Sequence, residues 1–246
     1  MQISVNVDLR GFVIGMQRAG LDHTLAAAKA LTFTAEAVRD AERAEMRRVF
    51  DRPTPYTINS LFLKGATPQN LEARVWFKTL GAKSHYLSPQ VDGGARLPKA
   101  FEMHLRSAGI LPQGMFAVPG GRAQLDAYGN FKSSELVKLL SALRALPQQG
   151  YLANRSAASA RRRAKQKRPR ALVNYFVGAP KRGGPMGVWE RVGQTGLRPI
   201  LIFVRAPRYR KRFDFYGIAQ RVVAEVFPVK YERELQRVYG SLRWAA

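Results

Sequence analysis

Carboxylate side chains, which nucleases and metalloenzymes use for catalysis, are scarce in this chain. It has 17 Asp and Glu residues against 41 Lys and Arg. Most acids fall on predicted helix faces, where pairing with basic residues three or four positions away accounts for them. Asp92, Glu102 and Asp126 are exceptions, because they lie near glycine-rich loops. Phosphodiester cleavage on two metal ions needs several carboxylates at one point, so we predict that the chain is not an enzyme.

Histidines and glycine-rich motifs also fail to define a site. His23, His85 and His104 are scattered, without partners at the spacing of metal ligands, and we interpret each as a surface or interface residue. The glycine-rich segment 178–187 follows a possible strand but lacks the Gly-Lys-Ser/Thr ending of a phosphate-binding loop. We interpret it as a hairpin turn and predict no catalytic residue, no metal site and no cofactor.

Positive charge is the dominant chemical feature. The formal net charge is +24, and such a field attracts nucleic acid or acidic protein. The segment 155–170, called the basic segment below, has eight basic residues and no acidic one. Its candidates for contact with nucleic acid or an acidic partner are Arg161, Arg162, Arg163, Lys165, Lys167, Arg168 and Arg170. An equally weighted alternative is a solvated linker without a ligand.

A second basic cluster lies near the C-terminal helix. Its candidate contact residues are Arg208, Arg210, Lys211 and Arg212, close to Arg205 and interleaved with Phe203, Tyr209, Phe213 and Phe215. Single-strand binders use such interleaved rings for base stacking. The rings also suit a strand-to-helix junction packed into the core, which is the interpretation we favour. Without the basic segment, 33 basic residues still face 17 acidic ones. This distribution favours a large shared surface, such as a ring or channel wall.

The N-terminal elements follow from hydrophobic spacing. Alternation over residues 2–7 predicts a strand, and apolar residues every three or four positions predict an amphipathic helix over 21–50. We expect Asp22 to cap this helix. Two alternating runs, 58–65 and 70–78, then predict a half-buried hairpin.

Glycine and proline dominate residues 80–130, around a short predicted helix over 97–109. We expect an extended region that wraps over neighbouring subunits, without a compact core. The residues expected in subunit-interface loops are Gly93, Gly94, Arg96, Gly120 and Gly121. A further helix is predicted over 133–146.

The C-terminal part contains three short apolar runs, expected to be strands of one antiparallel sheet, and a helix that Pro228 should kink or break. Three segments are predicted: 1–150 with helix, hairpin and loops, 151–171 as a basic linker, and 172–246 with strands and helix, completing the same core. Strands cluster instead of alternating with helices, so the predicted fold class is α+β. With no cysteine, no signal-peptide pattern and no apolar run of about 20 residues, we expect no membrane association.

Two stretches resemble a known family. The Ala-rich helix followed by ATPQNLEARVWFK (66–78), and GVWERVG (187–193) with PILIFVRAPRYRKRFDF (199–215), resemble phage minor tail protein Z and related neck and tail-completion proteins. Residues 85–109 and 118–130 are similar to uncharacterised prophage structural proteins. The resemblance implies a virion protein that forms a multi-copy ring at the head–tail junction and is assembled in the bacterial cytoplasm. Implied partners are copies of itself and other neck, portal or tail proteins, with the double-stranded DNA genome in the channel. The alternative is a basic DNA-binding protein associated with genome packaging.

Overall fold

Two units, the first of them discontinuous in sequence, make up the chain in a computed structural model. The structure describes residues 4–6, 23–78, 85–146, 174–179, 184–192 and 196–243. Unit 1 comprises Met1–Gly94 and Tyr209–Ala246, and unit 2 comprises Ala95–Arg208. These units cut across the predicted boundaries at 150 and 172. The predicted basic linker, 151–171, lies outside the described residues.

Unit 1 is built on two long helices, α1 (Thr24–Val49) and α6 (Phe215–Arg243). The first half of α1 is rich in alanine, and the small side chains let α6 approach closely, so that Ala26, Ala27 and Ala30 share a buried cluster with Tyr231 of α6. The predicted N-terminal helix is therefore confirmed. Its expected cap, Asp22, lies outside the described residues.

The C-terminal helix α6 continues through Pro228. Proline has no N–H to donate to the preceding turn, but residues on both sides of it are held by packing. Phe227 and Tyr231 stack with ring centroids 5.6 Å apart and lie against the alanine half of α1. Of the kink or break that we predicted at Pro228, the break does not occur.

A three-stranded antiparallel sheet completes unit 1. Its strands β1 (Ser4–Asn6), β2 (Leu61–Lys64) and β3 (Arg74–Phe77) lie in the order β1-β3-β2. The predicted hairpin is confirmed as β2 and β3. Two short helices, α2 (Pro55–Ile58) and α3 (Ser88–Val91), also belong to this unit. The inward sheet residues Leu61, Val75 and Phe77 join a core with Leu31 and Val38 of α1, and with Phe213 and Phe215.

Unit 2 contains a four-stranded antiparallel sheet. Its strands are β5 (Met115–Pro119), β6 (Asn174–Gly178), β7 (Gly187–Val192) and β8 (Gly196–Arg205), in the order β5-β8-β7-β6. The three predicted strands of one sheet are confirmed as β6, β7 and β8. The fourth strand, β5, was not predicted, because Pro112, Gly114 and Pro119 around it are typical of loops.

Two helices share the core of unit 2, α4 (Ala100–Ser107) and α5 (Ser133–Ala142). Leu105 and Leu139 of these helices are buried together with Leu201 and Phe203 of β8. Residues 80–130 thus contain long loops but also contribute Leu105, Leu111 and Ala117 to a core. The expectation that they lack a compact core is wrong.

Short strands β4 (Gly94–Ala95) and β9 (Arg208–Tyr209) form a two-stranded sheet. Helices and antiparallel strands built from hairpins occur in both units. The predicted α+β class is confirmed.

Candidate interaction surface

The sequence-predicted basic residues fall into two groups. Those of the basic segment, 155–170, lie outside the described residues. Arg208, Arg210, Lys211 and Arg212 are described, and all four are exposed. Lys211 lies 3.3 Å from Asp214, and the Arg212 guanidinium donates to the Val49 carbonyl at 2.8 Å. Neither Arg208 nor Arg210 is within ion-pair distance of a carboxylate in the described part of the chain.

The rings between these cations point mostly inward. Phe203, Phe213 and Phe215 are buried, and Tyr209 is partly buried. The Phe215 ring centroid lies 5.1 Å from that of Phe77, within the core of unit 1. The core interpretation of the interleaved aromatics is therefore confirmed. The cluster offers exposed cations without a fully exposed ring beside them.

Glycines expected in subunit-interface loops have conformational and packing roles within the chain. Gly93 and Gly94 have φ of 80° and 92°, a region that favours glycine. The Gly120 N–H donates to the Ile200 carbonyl at 2.9 Å, and a Cβ here would collide with the Pro199 backbone. Gly121 is exposed. Their contact with other subunits stays a prediction.

Arg96, also expected in an interface loop, pairs with Glu102 within unit 2. Its two terminal nitrogens donate to the two carboxylate oxygens at 2.6 and 2.7 Å. The backbone N–H groups of Lys99 and Ala117 donate to the same carboxylate. Burial raises the pKa of Glu102, but the hydrogen bonds from Arg96 and the two N–H groups outweigh it and leave the pKa below its usual value. Glu102 is thus an ionised structural anchor.

Of the other two acids near glycine-rich loops, Asp126 has a side-chain role in a turn, whereas Asp92 contributes a main-chain hydrogen bond. Asp126 accepts hydrogen bonds from the N–H groups of Tyr128 and Asn130, which closes a turn. Asp92 follows the last residue of α3, and its N–H donates to the Ser88 carbonyl. Among the described residues, no group of three or more His, Asp or Glu side chains could hold a metal ion.

Two of the three histidines are interior residues. His23 and His85 are buried, and His104 is partly buried. The His85 ring stacks on Phe77 with centroids 4.6 Å apart, and burial lowers the pKa of His85 to about 4. Interpreting His23 and His85 as surface or interface residues was wrong. Scattered spacing excludes a common site but carries no information on burial.

An exposed surface that sequence reasoning missed lies on the outer side of the β2–β3 hairpin. Leu61, Val75 and Phe77 point into the core, so the alternation of a strand turns Phe62 and Trp76 outward. These two residues face each other in register, and their rings stack with centroids 5.7 Å apart. Both occupy outward positions of the predicted hairpin. This placement was the feature of the sequence that could have revealed the surface.

A second aromatic pair lies beside the hairpin. Helix α2 is capped by Thr54 and presents Tyr56, whose ring stacks on Tyr86 with centroids 6.3 Å apart. The Tyr86 hydroxyl is hydrogen-bonded to Thr57 Oγ1 at 2.9 Å. Tyr56 is 60% exposed and Tyr86 50%, so both rings are open to a ligand.

Lys78 connects the two pairs. Its Nζ lies 4.9 Å from the centre of the Phe62 ring. Its side chain also lines a hollow of about 240 Å³ with Pro55, Tyr56, Asn59 and Ser60. We call Tyr56, Phe62, Trp76, Lys78 and Tyr86 the aromatic face. Lys64 is also exposed. It lies two residues after Phe62 on β2, on the same side of the strand.

A second hollow in unit 1, of about 190 Å³, is lined by Phe33, Lys230, Arg233, Glu234 and Arg237. The Lys230 Nζ is 5.8 Å from the centre of the Phe33 ring. Arg237 pairs with the buried Glu234 at 2.8 Å. This hollow is basic, but part of its charge is balanced within the chain.

No helix in the described ranges is long and apolar enough to cross a membrane. Comparison with known proteins adds no relative: no family model, no curated protein and no solved structure matches the chain significantly.

Proposed function

We propose that the chain is a non-catalytic structural protein of a tailed bacteriophage, a tail-completion or neck component that forms a multi-copy ring at the head–tail junction. The proposed location in the particle rests on the resemblance in segments 66–78, 187–193 and 199–215. Its partners are further copies of the chain and other neck, portal or tail proteins.

One observation carries the structural role. Acidic side chains form ion pairs within the chain, whereas many basic side chains are exposed to possible partners. Glu102 and Glu234 are buried in pairs with arginines. Arg208 and Arg210 are exposed and face no carboxylate among the described residues. Copies with a net charge of +24 repel one another. A ring of them therefore needs acidic subunits around it or DNA within it.

Electron microscopy of intact particles tests this proposal. Density for this chain, in several copies at the head–tail junction, is the expected result. A purified protein that stays monomeric at high concentration and does not associate with tails lacking it would contradict the proposal.

Charge reversal tests the role of the exposed cations. The double variant R208E/R210E should lose association with tails. The control R47E/K132E makes the same change in net charge at two other exposed positions, and it should retain association. Equal loss in both variants would assign the effect to overall charge instead of to this cluster.

A second candidate function is DNA binding during genome packaging, favoured by the same exposed arginines. Affinity for duplex DNA should then fall steeply with salt, since each neutralised phosphate releases counterions. Deleting residues 155–170 should abolish binding. If the deletion leaves affinity unchanged, the basic segment is not the contact.

A further inference from the structure

We propose that the aromatic face of unit 1 is a binding site for single-stranded nucleic acid, a role beyond the structural function proposed above. The site is distinct from the basic segment and from Arg208 to Arg212, which sequence reasoning selected. It combines two stacked aromatic pairs with a lysine between them.

The rings supply the stacking surface. Proteins that bind single strands place successive bases on aromatic side chains, and this contact tolerates any sequence because every base has a π face. Tyr56, the most exposed of the four rings, borders the hollow of about 240 Å³. Phe62, 38% exposed, lies on the other side of Lys78. Bases of one strand can therefore contact Tyr56 and Phe62 in turn.

The cations supply the phosphate contacts. Lys64 and Lys78 are exposed, and neither lies within ion-pair distance of a carboxylate among the described residues. Arg74, which follows the same outward alternation on β3, is paired with Glu72 at 2.7 Å. Lys78 now lies over the Phe62 ring, and a phosphate would draw its ammonium group away and uncover that ring.

Composition favours a nucleic acid over a protein as the occupant. Protein interfaces are enriched in Tyr, Trp and Phe, but their centres are depleted in lysine. Here Lys78 is at the centre of the patch, between the two pairs. A single strand is favoured over a duplex, since paired bases are stacked on each other and cannot stack on a protein ring.

Fluorescence anisotropy of the full-length protein tests the site. The probes are a labelled oligothymidylate of about 20 nucleotides, longer than one such site needs, and a duplex of equal length. Y56A and F62A should each weaken single-strand binding by about 5- to 150-fold, the range for loss of one stacked base. K78Q should reduce the salt slope by about 0.7, the value for one phosphate on a single strand.

Matched controls come from unit 2. Y128A removes a tyrosine that is 42% exposed, and K132Q removes an exposed lysine. Neither should change single-strand affinity by more than about twofold. None of the five variants should change duplex affinity much, because each removes at most one of the many cations available to a duplex. Thermal unfolding verifies that each variant is folded.

Tryptophan fluorescence gives a second readout that does not depend on truncation. Of the three tryptophans, Trp76 is on the aromatic face, Trp189 is in β7 of unit 2, and Trp244 lies outside the described residues. The oligonucleotide should quench the emission of the wild-type protein, and W76F should lose most of that quenching.

Three results would overturn the proposal. The first is equal affinity for single strand and duplex with no loss in Y56A or F62A. The second is an absence of single-strand binding by the wild-type protein. The third is that Y56A and F62A bind the oligonucleotide normally but no longer join tails, which would make the face a protein interface. The third result would leave the proposed structural function standing, so the two proposals fail separately.

Discussion

Unit 1 and unit 2 each bury one glutamate completely, and the two have opposite electrostatics. Glu42 in α1 and Glu102 in α4 are both fully buried. Both oxygens of Glu102 accept hydrogen bonds, whereas neither oxygen of Glu42 has a hydrogen-bond partner. Burial raises the pKa of Glu42 to about 9, and repulsion from Asp214 and Glu45 adds to the effect. At neutral pH, Glu42 is therefore protonated and Glu102 is ionised.

Position along the helix explains the contrast. Glu102 is in the first turn of α4, where backbone N–H groups are free, and the Lys99 N–H donates to it at 2.6 Å. Glu42 is in the middle of α1, where every nearby N–H is already used in the helix. Arg221 is near enough to lower the pKa of Glu42, but its effect is the smallest. Burial alone therefore does not decide whether a carboxyl group is charged. The hydrogen-bond donors within its reach decide it.

The largest expected effect is the loss of the Glu102 anchor. Glu102→Gln would leave the Arg96 guanidinium, whose side chain is 13% exposed, without a counter-charge. Breaking a buried pair in this way costs about 3 to 5 kcal/mol in the free energy of unfolding. Urea unfolding measures the loss, and hydrogen exchange at Ala117 should place it in unit 2. A loss below about 1 kcal/mol would mean that Arg96 finds water, so that the pair behaves as an exposed one.

Replacing Glu42 should have the opposite effect and raise the free energy of unfolding. The folded pKa of about 9 lies above the ordinary 4.5, so the folded state binds more protons and stability falls as pH rises from 4.5 to 9. Glu42→Leu fills a similar volume without that cost and should stabilise the protein by about 2 kcal/mol at pH 7. The gain should be larger at pH 8.5 and smaller at pH 4.5, where the only cost removed is the burial of an uncharged carboxyl without a hydrogen-bond partner.

Glu42→Gln is the matched control for titration. It keeps the shape and polarity but cannot ionise, so stability should no longer fall with rising pH, although the buried amide limits the gain. A wild-type protein whose stability is constant from pH 5 to 9 would show that Glu42 has a donor or solvent contact and would remove the contrast with Glu102.

His85 is another buried ionisable group of unit 1, and it makes stability depend on pH on the acid side. Its folded pKa, about 4, is below the ordinary 6.5, so the unfolded state binds more protons between these values. Its stabilisation is complete above pH 6.5 and is lost as pH falls through 4. His85→Phe keeps a ring against Phe77 and should be more stable than the wild type by about 1 kcal/mol at pH 5.5.

His85→Gln separates titration from stacking. It too removes the acid-side slope, but it also loses the ring contact with Phe77 and should be less stable than His85→Phe at every pH. If His85→Phe keeps the wild-type slope between pH 4 and 6.5, another group is responsible.

Sequence reasoning found the elements whose spacing is regular. The periodic apolar positions of α1 and the alternation around Val75 and Phe77 identify helix and hairpin, since a buried face repeats with the period of its element. Strand β5 escaped because Pro119 and Gly120 end it after five residues, and its pairing with β8 is distant in sequence. Such pairing leaves no local pattern.

The candidate site was less predictable than the fold. Arg96 was predicted as an interface residue and Glu102 as an acid near loops. The two are six positions apart across a loop, which is not a helical spacing, so the sequence did not suggest that they pair. Phe62 and Trp76 were placed in the hairpin without a role. Their stacking depends on the register of β2 and β3, which only the fold provides.

The smallest expected effect comes from an ion pair with the same geometry as the Arg96–Glu102 pair. Arg74 donates two hydrogen bonds to Glu72 at 2.7 and 2.8 Å, but the two side chains are 50% and 22% exposed. Water solvates both partners before and after the change, and salt screens their attraction. Glu72→Gln should leave the midpoint of urea unfolding unchanged within error, whereas Glu102→Gln lowers it clearly.

Double-mutant cycles on both pairs measure the coupling free energy directly. Coupling should be strong for Arg96–Glu102 and undetectable for Arg74–Glu72. If the two couplings are equal, hydrogen-bond geometry and not burial sets the energy, and the contrast drawn between the two buried glutamates loses its basis.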